Sequence, residues 1–164
     1  KVGALSGAND IFEHKDGIRF VYSETRKTGK TKNMIYFKKH PHLNKFKKKL
    51  LKRGVKNFNQ NNWWEWGRRY YHSSKPRVYV NVRTRIKKPF FLSSVKAYDG
   101  SILAIFPKFR CNKKILEQFK KDLNSVDWND LGFMVGNRYI FNQKALENVC
   151  LPSKFNKYKK LMKR

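Results

Sequence analysis

The chain is short of acids, short of cysteine and free of long apolar runs. It carries 11 Asp and Glu residues against 39 Lys and Arg, a formal net charge of +28. Catalysis by paired carboxylates therefore has little to draw on. The two cysteines, Cys111 and Cys150, lie far apart, and the four histidines show no zinc-finger spacing with them. A reduced pair is expected, with one structural disulfide as the alternative. His40 and His42 stand two apart, which suits neither one helix face nor a finger, so a functional metal role is not expected of them. None of the nine glycines forms a G-x-G pair, which excludes a Gly-rich dinucleotide loop, and no Walker-type phosphate loop occurs. No apolar run approaches membrane-spanning length, and no signal-peptide pattern is present. The sequence opens at Lys1 without Met, which reads as an excised or processed piece of a longer protein.

What is present is a lopsided charge on a foldable chain. Hydrophobic residues make up 40% and aromatics 15% of 164 residues, enough for a packed core, which excludes a disordered basic tail. One domain over 1–152 is expected, followed by a basic C-terminal helix or tail over 153–164. Residues 1–24 hold three basic and four acidic side chains, and 110–164 hold thirteen and five. Between Thr25 and Tyr98 stand 22 Lys and Arg and a single acid, Glu65. A surface with that imbalance repels itself and fits a polyanion, whose phosphates release counterions on binding.

Patterning predicts an α+β fold. A mostly antiparallel sheet region is expected over about 1–110, and helices are expected to concentrate in the C-terminal third. Strands are predicted at 18–22, 33–37, 77–82, 89–92 and 101–106, with Asp99-Gly100 as a hairpin-type turn between the last two. Leu43, Phe46, Leu50 and Leu51 have helix spacing over 43–53. The opposite face of that helix is lysine, including Lys45, Lys48, Lys49 and Lys52. Asn112 and Asn142 are placed to cap helices, and a hairpin around Gly136-Asn137 is predicted between 133 and 141.

The basic and aromatic residues carry the chemistry. The lysine face is suited to phosphates, which fixes position without reading sequence. Asn59, Gln60, Asn61 and Asn62 precede Trp63-Trp64-Glu65-Trp66-Gly67-Arg68-Arg69. Asn and Arg pair bidentately with base edges, and Trp stacks on bases or anchors a core. In strand geometry Trp64 and Trp66 would share one face. Glu65 is expected to pair with Arg68 or Arg69 and orient it. Arg83, Arg85, Lys87 and Lys88 follow a predicted strand as a loop suited to DNA. A metal-dependent nuclease needs two carboxylates and a lysine around an ion. Asp10, Glu13 and Lys15, with Asp99, are the only approach to that pattern. Asp10 and Glu13 are too close in sequence for it and read as turn acids.

Val2-Gly3-Ala4-Leu5-Ser6-Gly7-Ala8-Asn9-Asp10-Ile11-Phe12 resembles the Gly-x-x-(Ser/Thr)-Gly-x-(Asn/Asp)-x-x-Phe opening of specificity regions in bacterial type II adenine-N6 DNA methyltransferases. The segments 62–68, 77–85 and 98–107 are similar to target-recognition segments of those enzymes. The family's Asp/Asn-Pro-Pro-aromatic and Phe-x-Gly-x-Gly motifs are not in this chain. The resemblance therefore implies a target-recognition domain of a restriction–modification enzyme, separate from its methyl-transfer domain. Its partners would be double-stranded DNA and that catalytic domain or subunit, with S-adenosylmethionine as the parent enzyme's cofactor and a cytoplasmic, nucleoid-associated location. An RNA-binding protein, ribosomal or RNA-processing, is the alternative the lysine content equally fits.

Overall fold

Residues 78–81 alternate in a way that divides the molecule in two. In the computed structural model, which describes residues 1–162, β3 (Val78–Asn81) pairs antiparallel with β6 (Ile102–Ile105). Successive side chains of a strand point to opposite faces. Tyr79, Ile102 and Ala104 therefore enter one core, and Val78, Val80 and Leu103 enter another. All four β3 residues are buried because the two-stranded ribbon has a core on each side. The class is α+β, as the patterning predicts.

The first core gathers the N-terminal half. It is walled by β1 (Glu13–Val21), β2 (Lys32–Met34) and β5 (Ala97–Tyr98), in the order β2–β1–β5. The β1–β2 pair is antiparallel, and the two-residue β1–β5 pair is parallel. Short helices α1 (Asn9–Phe12), α2 (Thr25–Thr28), α3 (Pro41–Asn44) and α4 (Lys47–Leu51) border it. Trp66, Phe12 and Phe20 fill its centre, with Trp66 Nε1 donating to Ile35 O at 2.9 Å. The N-terminal segment threads alongside. Ala4 bridges Asp99 and Leu5 bridges Arg68. Gly3 sits against the Asp99 carbonyl so closely that a Cβ would fall 1.9 Å from it.

The second core lies under α5 (Lys113–Asn124), the longest helix, with Phe119 and Leu123 facing in. Asn112 caps it as its position predicts, accepting from Ile115 N at 2.9 Å. At the other end Asn124 exchanges two 2.9 Å hydrogen bonds with the Phe90 backbone. The sheet β4–β8–β7 completes this half, from β4 (Arg83–Thr84), β7 (Met134–Val135) and β8 (Arg138–Ile140). The predicted hairpin at Gly136 is present, with Gly136 at φ 59°. Asn142 caps α6 (Gln143–Asn148). The tail is part of this core. A 3-10 turn at Ser153–Phe155 and α7 (Asn156–Lys159) bury Phe155 and Tyr158, and Tyr158 Oη donates to Asp122 Oδ2 at 2.5 Å. Residues 163 and 164 lie outside the described residues.

Three local expectations are corrected. The predicted strand at 89–92 is a single bridge, Tyr79↔Phe91. Asp99-Gly100 turns the chain, with Ile102 N donating to Asp99 O, but it joins β5 and β6, which belong to different sheets. It is therefore a corner between the cores and not a hairpin. The single helix expected over 43–53 is two short ones, broken at Lys45 and Phe46. Phe46 turns in to pack on His42, with ring centroids 5.3 Å apart. Lys45–Lys49 and Lys48–Lys52 are like-charge pairs four apart, which oppose a continuous helix. Cys111 and Cys150 are both free thiols. Among the described residues no helix is long and apolar enough to cross a membrane.

Candidate nucleic-acid interface

Arg53 joins the lysine segment to the tryptophan segment. It follows α4 and is buried. Its Nε donates to Leu50 O at 2.8 Å, Nη1 to Ser6 O at 2.5 Å, and Nη2 to Trp63 O at 2.6 Å and Glu65 O at 2.8 Å. The guanidinium carbon stands 3.9 Å from the Phe58 ring centroid and 5.2 Å from that of Phe12. Burial lowers its pKa to about 10, so it stays charged at neutral pH. A planar fork with five donors suits four carbonyls, which a lysine cannot match.

The tryptophan segment is a series of turns and not a strand. Trp63 N donates to Asn59 O at 3.1 Å and Glu65 N to Asn62 O at 2.9 Å. Trp63 and Trp66, three apart, therefore both point into the core, and Trp64 is left half-buried at the surface. This corrects the shared face expected for Trp64 and Trp66. The asparagines serve the turn: Asn62 Oδ1 accepts from Asn59 N and Asn59 Oδ1 from Asn61 N. Gln60 and Asn61 remain exposed.

Lysines close over these rings. Lys39 Nζ is 5.8 Å from the Trp64 ring centroid and Lys47 Nζ is 5.4 Å from that of Trp63. Lys45, Lys48, Lys49 and Lys52 are exposed. Lys45, Lys47, Lys48 and Lys49 line an open depression that also takes in Gln60 from the tryptophan segment. Glu65 pairs with Lys56 at 2.8 Å, not with Arg68 or Arg69. The turn at 63–66 carries its carboxylate back toward the end of the lysine segment. Arg68 is exposed, but its Nε donates to Gly3 O at 3.0 Å. Arg69 is exposed and lies 3.6 Å over the ring of Phe37, a residue held at φ 45°. Such a conformation is sparsely populated for a non-glycine residue and recurs at functional sites.

Beside Arg69 runs a column of rings. Tyr70 and His72 stack at 4.1 Å, and Tyr36 Oη lies 3.1 Å from His72 Nε2. Burial pushes the Tyr36 phenol up to about 12. Burial, then the Arg69 and Arg77 charges, hold His72 below its ordinary value. Arg77 is a second buried clamp, donating to the carbonyls of Ser73, Lys75 and Lys96.

Arg83, Arg85, Lys87 and Lys88 are exposed in the other half of the molecule. Arg83 lies in β4 against Ile140, Arg85 donates to Asn137 Oδ1 at 3.3 Å, and Lys88 O accepts from Arg26. Their partners are the 134–140 hairpin and α2. Among the described residues nothing joins them to the tryptophan segment. Asp10 pairs with Lys49, Glu13 with Lys32, and Asp99 is buried and bonded to Ser101. Each acid of the nuclease-like pattern thus has a separate partner. One group whose donor atoms do converge is His14, Asp16 and His40. Sequence spacing missed it because His14 and Asp16 lie more than twenty residues before His40.

No protein-family model matches the chain, and neither does any curated protein.

Proposed function

We propose that this chain is a double-stranded DNA-binding domain that recognises a target sequence for a methyltransferase whose methyl-transfer part lies outside it. One observation carries the reading. The lysine segment 45–52 and the turn 59–66 are clamped together by Arg53 and overlain by Lys39 and Lys47. A phosphate-suited surface is thereby adjacent to exposed Gln60, Asn61 and Arg69. The nearby acids, Glu65 and Asp10, are each neutralised by a lysine. Lysines hold the backbone, and amide and guanidinium groups meet base edges. Trp63, Trp66 and Tyr70 are spent in the core, which leaves Trp64 and Tyr71 as the large rings of this segment at the surface, fewer than a reader of several unpaired RNA bases would use. Arg83, Arg85, Lys87 and Lys88 provide a second patch for flanking phosphates. The parent's S-adenosylmethionine and catalytic domain follow from the sequence resemblance.

The test is duplex binding measured across a salt series. The logarithm of the association constant should fall with log salt at a slope of several units, about −0.9 per phosphate contacted. A slope near zero, or preference for single-stranded RNA over duplex, refutes the proposal.

A further inference from the structure

A bulge in β1 gathers three of the chain's four histidines in one place. Glu13 and Ile18 both pair with Met34, so residues 14–17 are extra on their strand. Gly17 permits this, because a Cβ there would lie 2.3–2.6 Å from the Met34 backbone. Bulges re-aim side chains. This one brings His14 and Asp16 to His40, the residue before α3. Asp16 Oδ2 lies 3.5 Å from His14 Nδ1 and 3.3 Å from His40 Nε2. All three donor atoms fall within 4.8 Å of one another. A tetrahedral zinc ion with ligands at about 2.0–2.1 Å sets its donor atoms about 3.3–3.4 Å apart. Two edges of such a coordination face therefore already have the right length.

We propose that His14, Asp16 and His40 bind a divalent transition metal ion of the zinc class. This holds independently of the DNA reading. Two imidazoles and one carboxylate suit zinc and its neighbours, whereas magnesium and calcium take oxygen shells. Three protein ligands leave a fourth position open to solvent. His42 stands outside the set, its Nε2 held 3.0 Å from Ile11 O and its ring 4.7 Å from that of His14. His40 Nδ1 accepts from His42 N at 3.2 Å, which leaves the proton of the neutral ring on Nε2. Metal binding moves that proton to Nδ1, so the metal bond replaces the cap on α3. The ion would pin the β1 bulge to the start of the chain that carries the lysines.

The experiment titrates the chain at pH 7.5 with Co²⁺, read by visible absorption, and then displaces it with Zn²⁺. One equivalent of Co²⁺ should bind, and a Cys111→Ser/Cys150→Ser variant should bind the same amount. His14→Ala, Asp16→Asn and His40→Asn should each weaken binding at least about tenfold, the loss that removing even an outer partner of a metal site causes. Asn accepts an N-cap bond, so His40→Asn keeps the local fold. Circular dichroism without metal checks that each variant is folded. His72→Ala should bind as the parent does. Absence of saturable one-equivalent binding overturns the proposal, as does unchanged affinity in folded Asp16→Asn and His40→Asn.

Discussion

Replacing Arg53 by methionine tests how the interface is held. Methionine keeps the packing against Phe12 and Phe58 and removes all four donors. The carbonyls of Leu50, Ser6, Trp63 and Glu65 then lose the donor that Arg53 supplies, at about 1–3 kcal/mol for each that stays buried and unpaired. Against this, the charge is itself costly to bury. Its pKa is lowered from 12.5 to about 10. At about 1.4 kcal/mol per pKa unit, losing the charge returns about 3 kcal/mol. The balance centres on a loss of about 5 kcal/mol. For a domain of this size that lowers Tm by about 10–20 °C. Urea unfolding followed by tryptophan fluorescence measures it, with the slope on denaturant unchanged. Duplex affinity should fall too, although Arg53 is too buried to meet a phosphate, because the 59–66 turn is no longer tied to α4. Stability within about 0.5 kcal/mol of the parent would refute the reasoning, since desolvation of the charge would then have offset every hydrogen bond.

Lys48→Ala should weaken duplex binding several-fold for all sequences and reduce the salt slope by about one unit, read by fluorescence anisotropy. Gly3→Ala should cost at least about 2 kcal/mol, toward the upper part of the overpacking range, because its Cβ would meet the backbone carbonyl of Asp99 and not a movable side chain. Burial alone would raise the Asp122 carboxyl, but hydrogen bonds from Lys157, Tyr158 and Gln118 together hold it below its ordinary 3.8. Its contribution is therefore present above pH 3.8 and lost as pH falls through the lower folded value. The stability gap between parent and Asp122→Asn, measured by urea melts from pH 6 to pH 3, should be constant at first and close only below about 3.8.

Local signals were legible where one residue decides the structure. Asn112 and Asn142 cap their helices because an Asn oxygen reaches the N3 backbone amide whatever surrounds it. Gly136 turns the hairpin because it accepts a positive φ. The misreadings fall where two segments compete for the same residues. Trp63-Trp64-Glu65-Trp66 alternates like a strand, yet among the described residues no strand pairs with it. Asn59 and Asn62 offer turns instead, and Trp63 and Trp66 then face the core. Glu65 goes to Lys56 because that turn, and not the sequence order, sets its direction. The convergence of His14, Asp16 and His40 depends on a bulge that hydropathy does not encode.

The sequence by itself determined the charge, the α+β class and where basic and aromatic residues cluster along the chain, because these depend on composition and local periodicity. It did not separate the roles of lysine and arginine. Only the tertiary structure did that. Arg53 and Arg77 are buried clamps on backbone carbonyls, while Lys45, Lys48, Lys49 and Lys52 face solvent. The reason is geometric. A guanidinium can satisfy several fixed carbonyls at once and so is drawn inside, whereas a compact ammonium is strongly hydrated and stays in water. Which cations remain free for a phosphate is therefore settled by which carbonyls the fold brings together.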